Sequence, residues 1–143
     1  MILENFKDFP KNGAILGIDW GRRRTGLAIS DQSQEFVFPR GVLVCPIIDI
    51  INKEKPVGVV IGLPLHADGT DSDTTKQVRE FADALASQTD LPIIFMEENL
   101  TSVAAKEILY QQRATNNNQP IDSAAACVIL ENALAMIKRL QHV

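Results

Sequence analysis

Residues 57–61 read VGVVI, an unbroken apolar run rich in β-branched side chains. A strand with one face in water alternates apolar and polar residues, whereas a run without polar interruptions suits a strand buried on both faces. Such a strand needs packing layers above and below it, so the rest of the chain has to supply apolar faces to both sides of a sheet. The run passes into GLPLHADGT, whose Pro, Gly and Asp read as a loop.

The flanking sequence meets that demand. Residues 14–20 and 25–30 are short apolar runs separated by the four residues 21–24, the pattern of a hairpin. Residues 36–44 read as a third strand, bent or at an edge, because Pro39 has no N–H to donate to a ladder. Residues 47–52 suit a short helix. After about Asp71 the period changes: Val78, Phe81, Ala82 and Leu85 fall at helical spacing behind capping Ser, Thr and Asp residues. LPIIFM, residues 91–96, is the next strand, ending in Glu97, Glu98 and Asn99. Thr101 can cap a helix that buries Ala104, Ala105, Ile108 and Leu109, and ATNNNQP breaks that pattern. Residues 121–140 form the last helix, with a stripe of Ala126, Leu130, Ala133, Ile137 and Leu140. The expected architecture is α/β, a mixed five-stranded sheet with a three-strand meander and then parallel strands, flanked by helices.

A chain of 143 residues is the size of one domain, 1–143, with residues 1–13 as an N-terminal extension. At 45% apolar and 22% charged it has a globular composition, which gives disorder no support. Its longest apolar stretches are less than half of a membrane span, and its start lacks the regions of a secretory signal, so a soluble cytoplasmic protein is expected, a monomer or weak dimer. Cys45 and Cys127 are far apart and outside any zinc spacing, and read as reduced thiols. The net charge of −4 argues against an abundant nonspecific nucleic-acid binder. A local basic patch remains, Arg22, Arg23 and Arg24.

The chemistry lies in acids placed where strand ends meet helix starts. Asp19 ends the first strand, Glu97 and Glu98 end the last strand, and Asp122 opens the terminal helix. In open α/β sheets ligands collect at the carboxyl ends of parallel strands, so these acids can share one cleft. Three carboxylates brought together repel unless a cation neutralises them, and hard oxygen ligands select Mg²⁺ or Mn²⁺. Such ions can activate water against a phosphodiester. Singly, each residue has an ordinary reading: Asp19 beside Gly21 as a turn, Asp122 as a helix cap, Glu97 and Glu98 as solvated acids, the arginines as a solvated turn. Asp31 reads as a turn residue, and His66 and His142 as exposed.

In combination the segments are specific. ILGIDWGRRRTGLAISD, VVIGLPLHADGT, FMEENLTS and IDSAAACVILENAL resemble, in order and spacing, the YqgF family, also called RuvX, pre-16S ribosomal RNA nucleases once labelled Holliday junction resolvase-like. The resemblance covers residues 15–134 and implies a ribonuclease H-like fold. It implies Asp19, Glu98 and Asp122 as catalytic metal ligands for Mg²⁺ or Mn²⁺. Gly21, Arg22, Arg23, Arg24 and Thr101 are then the candidate substrate contacts, and the implied partner is precursor 16S rRNA or a ribosomal particle. Where relatives carry D-E-R this chain has Glu97, Glu98 and Asn99, and the often Lys-rich segment before Asp122 is here RATNNNQP, with Arg113 its one charge. Trp20 is bulky beside the presumed metal site, as a core residue or a base-stacking surface.

Three other readings stand beside this one. A DNA junction resolvase would use the same acids. Actin-like and sugar-kinase ATPases share the G-I-D-x-G hairpin but need two such domains, and this chain has room for one. A noncatalytic binding module of the same fold is the third.

Overall fold

The computed structural model describes residues 1–66, 68–99 and 123–141. The strands are β1 (Ile2–Leu3), β2 (Ile15–Asp19), β3 (Gly26–Ser30), β4 (Val37–Val42), β5 (Gly58–Leu65) and β6 (Ile93–Asn99). The helices are α1 (Ile47–Glu54), α2 (Asp73–Ala86) and α3 (Ala124–Gln141), with a 3₁₀ turn at Phe6–Asp8. The sheet order is β1-β6-β5-β2-β3-β4. β2, β3 and β4 form the antiparallel meander, and β5, β6 and β1 run parallel to β2.

Among the described residues the sheet has six strands where five were expected. The additional one is β1, in which Ile2 and Leu3 pair with Ile93 and Ile94. Two residues are too few to show a period, so the sequence carries no strand signal there. The segment read as an extension also sends Phe9 into the core at 2% exposure. β5 continues through Pro64 to Leu65, four residues past the expected end of the strand. Pro64 is tolerated because β2 ends at Asp19, so this part of β5 lies beyond its neighbour on that side and no ladder bond needs the missing N–H. Pro39 sits on the edge strand β4, as expected.

Each face of the sheet carries its own core. Leu16, Ile18, Val59, Ile61, Leu63 and Ile93 pack with α1 and α2 on one side. Ile15, Ala28, Val60 and Ile94 pack with α3 on the other. Helix α2 starts at a reciprocal cap: Ser72 Oγ accepts from the Thr75 N–H (3.1 Å) and Thr75 Oγ1 accepts from the Ser72 N–H (2.9 Å). The first seven residues of α3, Ala124 to Leu130, are all buried, as their apolar character on every side predicts.

Helix α3 sits close to the strands because two glycines admit it. A Cβ on Gly17 of β2 would come 2.9 Å from Leu130 Cβ, and one on Gly62 of β5 would overlap Ile129 Cδ1. Gly62→Ala should therefore cost about 1–3 kcal/mol through overpacking. Ile129→Val removes the obstructing methyl and alone costs about 0.5–1.5 kcal/mol. In urea titrations of the four proteins of a double-mutant cycle, the double variant should be more stable than the sum of the single costs. Strict additivity would show that the helix does not seat on Gly62.

Asp31, the expected turn residue, closes the β3–β4 connection. Its Oδ1 accepts from the N–H groups of Glu35 (2.8 Å) and Phe36 (2.9 Å), and its Oδ2 from the Ser33 hydroxyl (2.5 Å). The Phe36 backbone bond, then the Ser33 bond, lower its pKa from 3.8 to about 2. A pKa depressed on folding stabilises the fold above the unfolded value and loses that contribution as pH falls through the folded value. Asp31→Asn should thus be less stable than the parent at neutral pH, with the gap closing between pH 3.8 and about 2. Thermal melts across that range are the check, and a pH-independent gap would remove the carboxylate from the account.

Candidate functional site

β2, β5 and β6 are parallel neighbours, so their carboxyl ends share one edge of the sheet. Side chains alternate along each strand. On β2, Ile15 and Gly17 face α3, and Asp19 continues that side. On β6, Ile94 and Met96 face α3, and Glu98 continues it. Asp19 and Glu98 therefore occupy the same face. Ile18 lies opposite Ile61 and Gly62 opposite Met96, so Glu98 stands two residues further along its strand than the level of Asp19. One strand separates them, a lateral gap of roughly 10 Å between backbones.

Glu98 is only 7% exposed, and its Oε1 accepts a hydrogen bond from Asn132 Nδ2 of α3 (2.9 Å). A buried carboxylate sharing a face with a second acid is costly without compensating charge, which favours a cation between them. An amide holding one oxygen is the kind of outer support that orients a ligating carboxylate while its second oxygen binds. The donor set thus fits a hard divalent ion.

Glu97 is exposed on the opposite face, where it lines a groove with Arg79 and Phe95. Of the two acids, the one buried on the α3 side is Glu98. Asp122 and Thr101 lie outside the described residues. Ser123, which follows Asp122 in the sequence, is 2% exposed; its Oγ accepts from the Gly41 N–H (3.3 Å) and its Cα lies 3.4 Å from where a Gly26 Cβ would be. Gly26 is the cross-strand partner of Asp19, so α3 begins beside the Asp19 end of the hairpin. Among the described residues no group of three His, Cys, Asp or Glu side chains could hold a metal ion.

The β2–β3 turn follows Asp19 directly. A Cβ on Gly21 would overlap the Arg24 carbonyl oxygen, so only glycine lets this turn close as it does. Arg22, Arg23 and Arg24 are exposed on it, and Arg22 Nε donates to Gln77 Oε1 of α2 (3.0 Å). Trp20 turns to the other side from Asp19 and packs, half-buried, against the core beneath α2.

Asn132 was not among the residues the sequence singles out. The signal for it is slight, a neutral amide inside LENALA, where the apolar stripe of α3 is interrupted on its inner flank.

A mixed sheet of this order, with acids at the carboxyl ends of its parallel strands and a C-terminal helix laid across them, defines the ribonuclease H-like class. The family model described as "RuvX: Holliday junction resolvase" matches residues 13–136, and the chain belongs to the RuvX family. A protein of Maridesulfovibrio salexigens is 43% identical over 131 residues, covering 85% of this chain and 97% of that protein. Proteins of Rickettsia peacockii and Rickettsia conorii are each 33% identical over 156 aligned positions, covering 98% of this chain and all of theirs. All three bear the name "Putative pre-16S rRNA nuclease". Nucleases of the ribonuclease H-like type generally use divalent metals. No helix among the described residues is long and apolar enough to cross a membrane.

Proposed function

We propose that this chain is a divalent-metal-dependent nuclease that hydrolyses phosphodiester bonds of structured RNA and processes the 5′ end of precursor 16S rRNA. The cytoplasm follows from that substrate. The observation that carries the reading is the delivery of Asp19 and Glu98 to one face at the carboxyl edge of the sheet, with Glu98 buried and held by Asn132. The names of the relatives support the choice of RNA.

In this reading Asp19, Glu98 and Asp122 hold Mg²⁺ or Mn²⁺, which supplies a Lewis acid for activating water and for neutralising charge on the phosphate. Asp122 belongs with the other two because it adjoins Ser123, which packs beside the cross-strand partner of Asp19. Asn132 fixes the orientation of Glu98 through Oε1. Arg22, Arg23 and Arg24, on the turn that leaves Asp19, bind phosphates flanking the scissile bond, with Thr101 as a further contact from the segment after β6. The arginines also offset the acidity of the rest of the chain; the net charge of the whole is −4.

The family description favours one second reading, cleavage of a four-way DNA junction. Both are tested by incubating the full chain with end-labelled precursor 16S rRNA or a labelled DNA junction, in Mg²⁺, Mn²⁺ or EDTA. Metal-dependent cutting of the rRNA alone is expected. Cutting of the junction alone establishes the second reading, and binding without turnover in either metal leaves a noncatalytic module.

A further inference from the structure

On the side of β2 opposite Asp19, the structure has a groove lined by Trp20, Arg22, Gln77, Glu80 and Phe81. Trp20 and Phe81 are half-buried, each packed against the core beneath α2 and each contributing to the wall of the groove. The Arg22 guanidinium spans from the turn to α2, where its Nε bond to Gln77 fixes it at the rim (3.0 Å), and its terminal N–H groups are further donors. Glu80 adds an exposed carboxylate acceptor on the same helix.

We propose that this groove is a subsite for one unpaired base of the RNA, stacked on Trp20 and Phe81; the proposal rests on the nuclease reading and extends its substrate contacts to the far side of β2. The combination of groups selects this occupant. Two aromatic walls offer a stacking surface, which any base can use through its π-face. Gln77 and Glu80 carry acceptors suited to the ring and exocyclic N–H groups of a base that is not engaged in pairing. Arg22 and the neighbouring Arg23 and Arg24 supply the positive charge that the phosphates on either side of that base require. An apolar peptide segment would leave the carboxylate and guanidinium of this groove unused. Trp20 follows Asp19 directly, so a strand crossing the 21–24 turn passes from the carboxylate face to the stacking face within a short stretch of backbone.

Trp20 is the one tryptophan of the chain, so its fluorescence reports this groove alone. The full chain is titrated in EDTA with a fluorescein-labelled single-stranded hexaribonucleotide of mixed sequence, and with the same oligomer carrying abasic sites throughout. Binding is followed by anisotropy and stacking by Trp20 emission. The expected result is saturable quenching by the base-bearing RNA, and binding weaker by roughly 5- to 150-fold for the abasic oligomer, the range corresponding to about 1–3 kcal/mol for one stacked base. Gln77→Ala and Arg22→Ala, both outside the core, should reduce quenching without unfolding the protein. Anisotropy changes with unaltered Trp20 emission, equal affinity for the abasic oligomer, or no binding of the oligomer at all would each overturn the subsite. The two readings fail separately: quenching without any cleavage in metal keeps the subsite and sinks the nuclease, and cleavage with silent Trp20 does the reverse.

Discussion

Asp19→Asn should abolish cleavage of precursor rRNA in Mg²⁺ or Mn²⁺ while the protein stays folded. The substitution keeps the shape of the side chain and exchanges an anionic oxygen for a neutral amide, which a hard divalent ion does not accept in its place. Metal activation is worth several kcal/mol of transition-state stabilisation, and each 1.4 kcal/mol or so is a factor of ten in rate, so the loss should reach about a thousandfold or more. Stability should stay within about 1 kcal/mol of the parent, because Asp19 lies at a strand end and is only half-buried. Removing one of two acids on a shared face relieves repulsion in the metal-free protein, and a small gain in stability is also consistent. The measurements are single-turnover cleavage and a denaturant titration of the same preparation. Full activity of the purified variant in saturating metal would falsify the metal-ligand role of Asp19.

Replacing Arg22, Arg23 and Arg24 together by Ala should weaken RNA binding for every sequence alike and flatten its dependence on salt. Phosphate neutralisation releases counterions, and each lost contact lowers the slope of log K against log salt by about one for a duplex, or about 0.7 for a single strand. If all three arginines engage, the slope should fall by about two to three, with the largest loss of affinity at low salt. The cost to the fold should be small, since the three side chains are exposed and the Arg22–Gln77 bond to α2 lies at the surface. Asp19→Asn, by contrast, should bind nearly as the parent does when metal is present. A triple variant that binds as tightly as the parent at every salt concentration would reduce the arginines to a solvated turn and move the grip on the substrate elsewhere.

How far the sequence anticipates the structure differs from element to element. VGVVI is legible as a doubly buried strand because its neighbours on both sides are apolar layers, and the structure gives it α2 on one face and α3 on the other. The choice between Glu97 and Glu98 is a matter of parity along β6, and parity counted from Ile94 places Glu98 with Asp19. Parity needs a fixed starting residue, which the packing of Ile93 and Ile94 into different cores supplies. β1 was not legible, because its pairing is made by backbone groups of two residues and leaves no pattern in the side chains. The continuation of β5 through Pro64 was not legible either, since whether a proline can sit in a strand depends on where the neighbouring strand stops. Asn132 escaped for a related reason: its partner lies 34 positions earlier in the chain, and no local rule connects the two.

The two glycines beneath α3 bear on how the protein opens as well as on how it packs. Gly17 and Gly62 sit on the adjacent strands β2 and β5, and each is roofed by a buried α3 side chain. Amides in such a place exchange with solvent only when the helix lifts from the sheet, an event close in free energy to global unfolding. The strand that carries Asp19 should therefore exchange among the slowest of the described segments, and α3 ties Glu98 to it through Asn132. The turn bearing Arg22, Arg23 and Arg24 is exposed and stands outside it, so the phosphate contacts proposed for it should adjust faster than the carboxylates move. An overpacking substitution at either glycine should first appear as faster deuterium uptake at residues 16–18 and 59–61, before any measurable broadening of the melting transition.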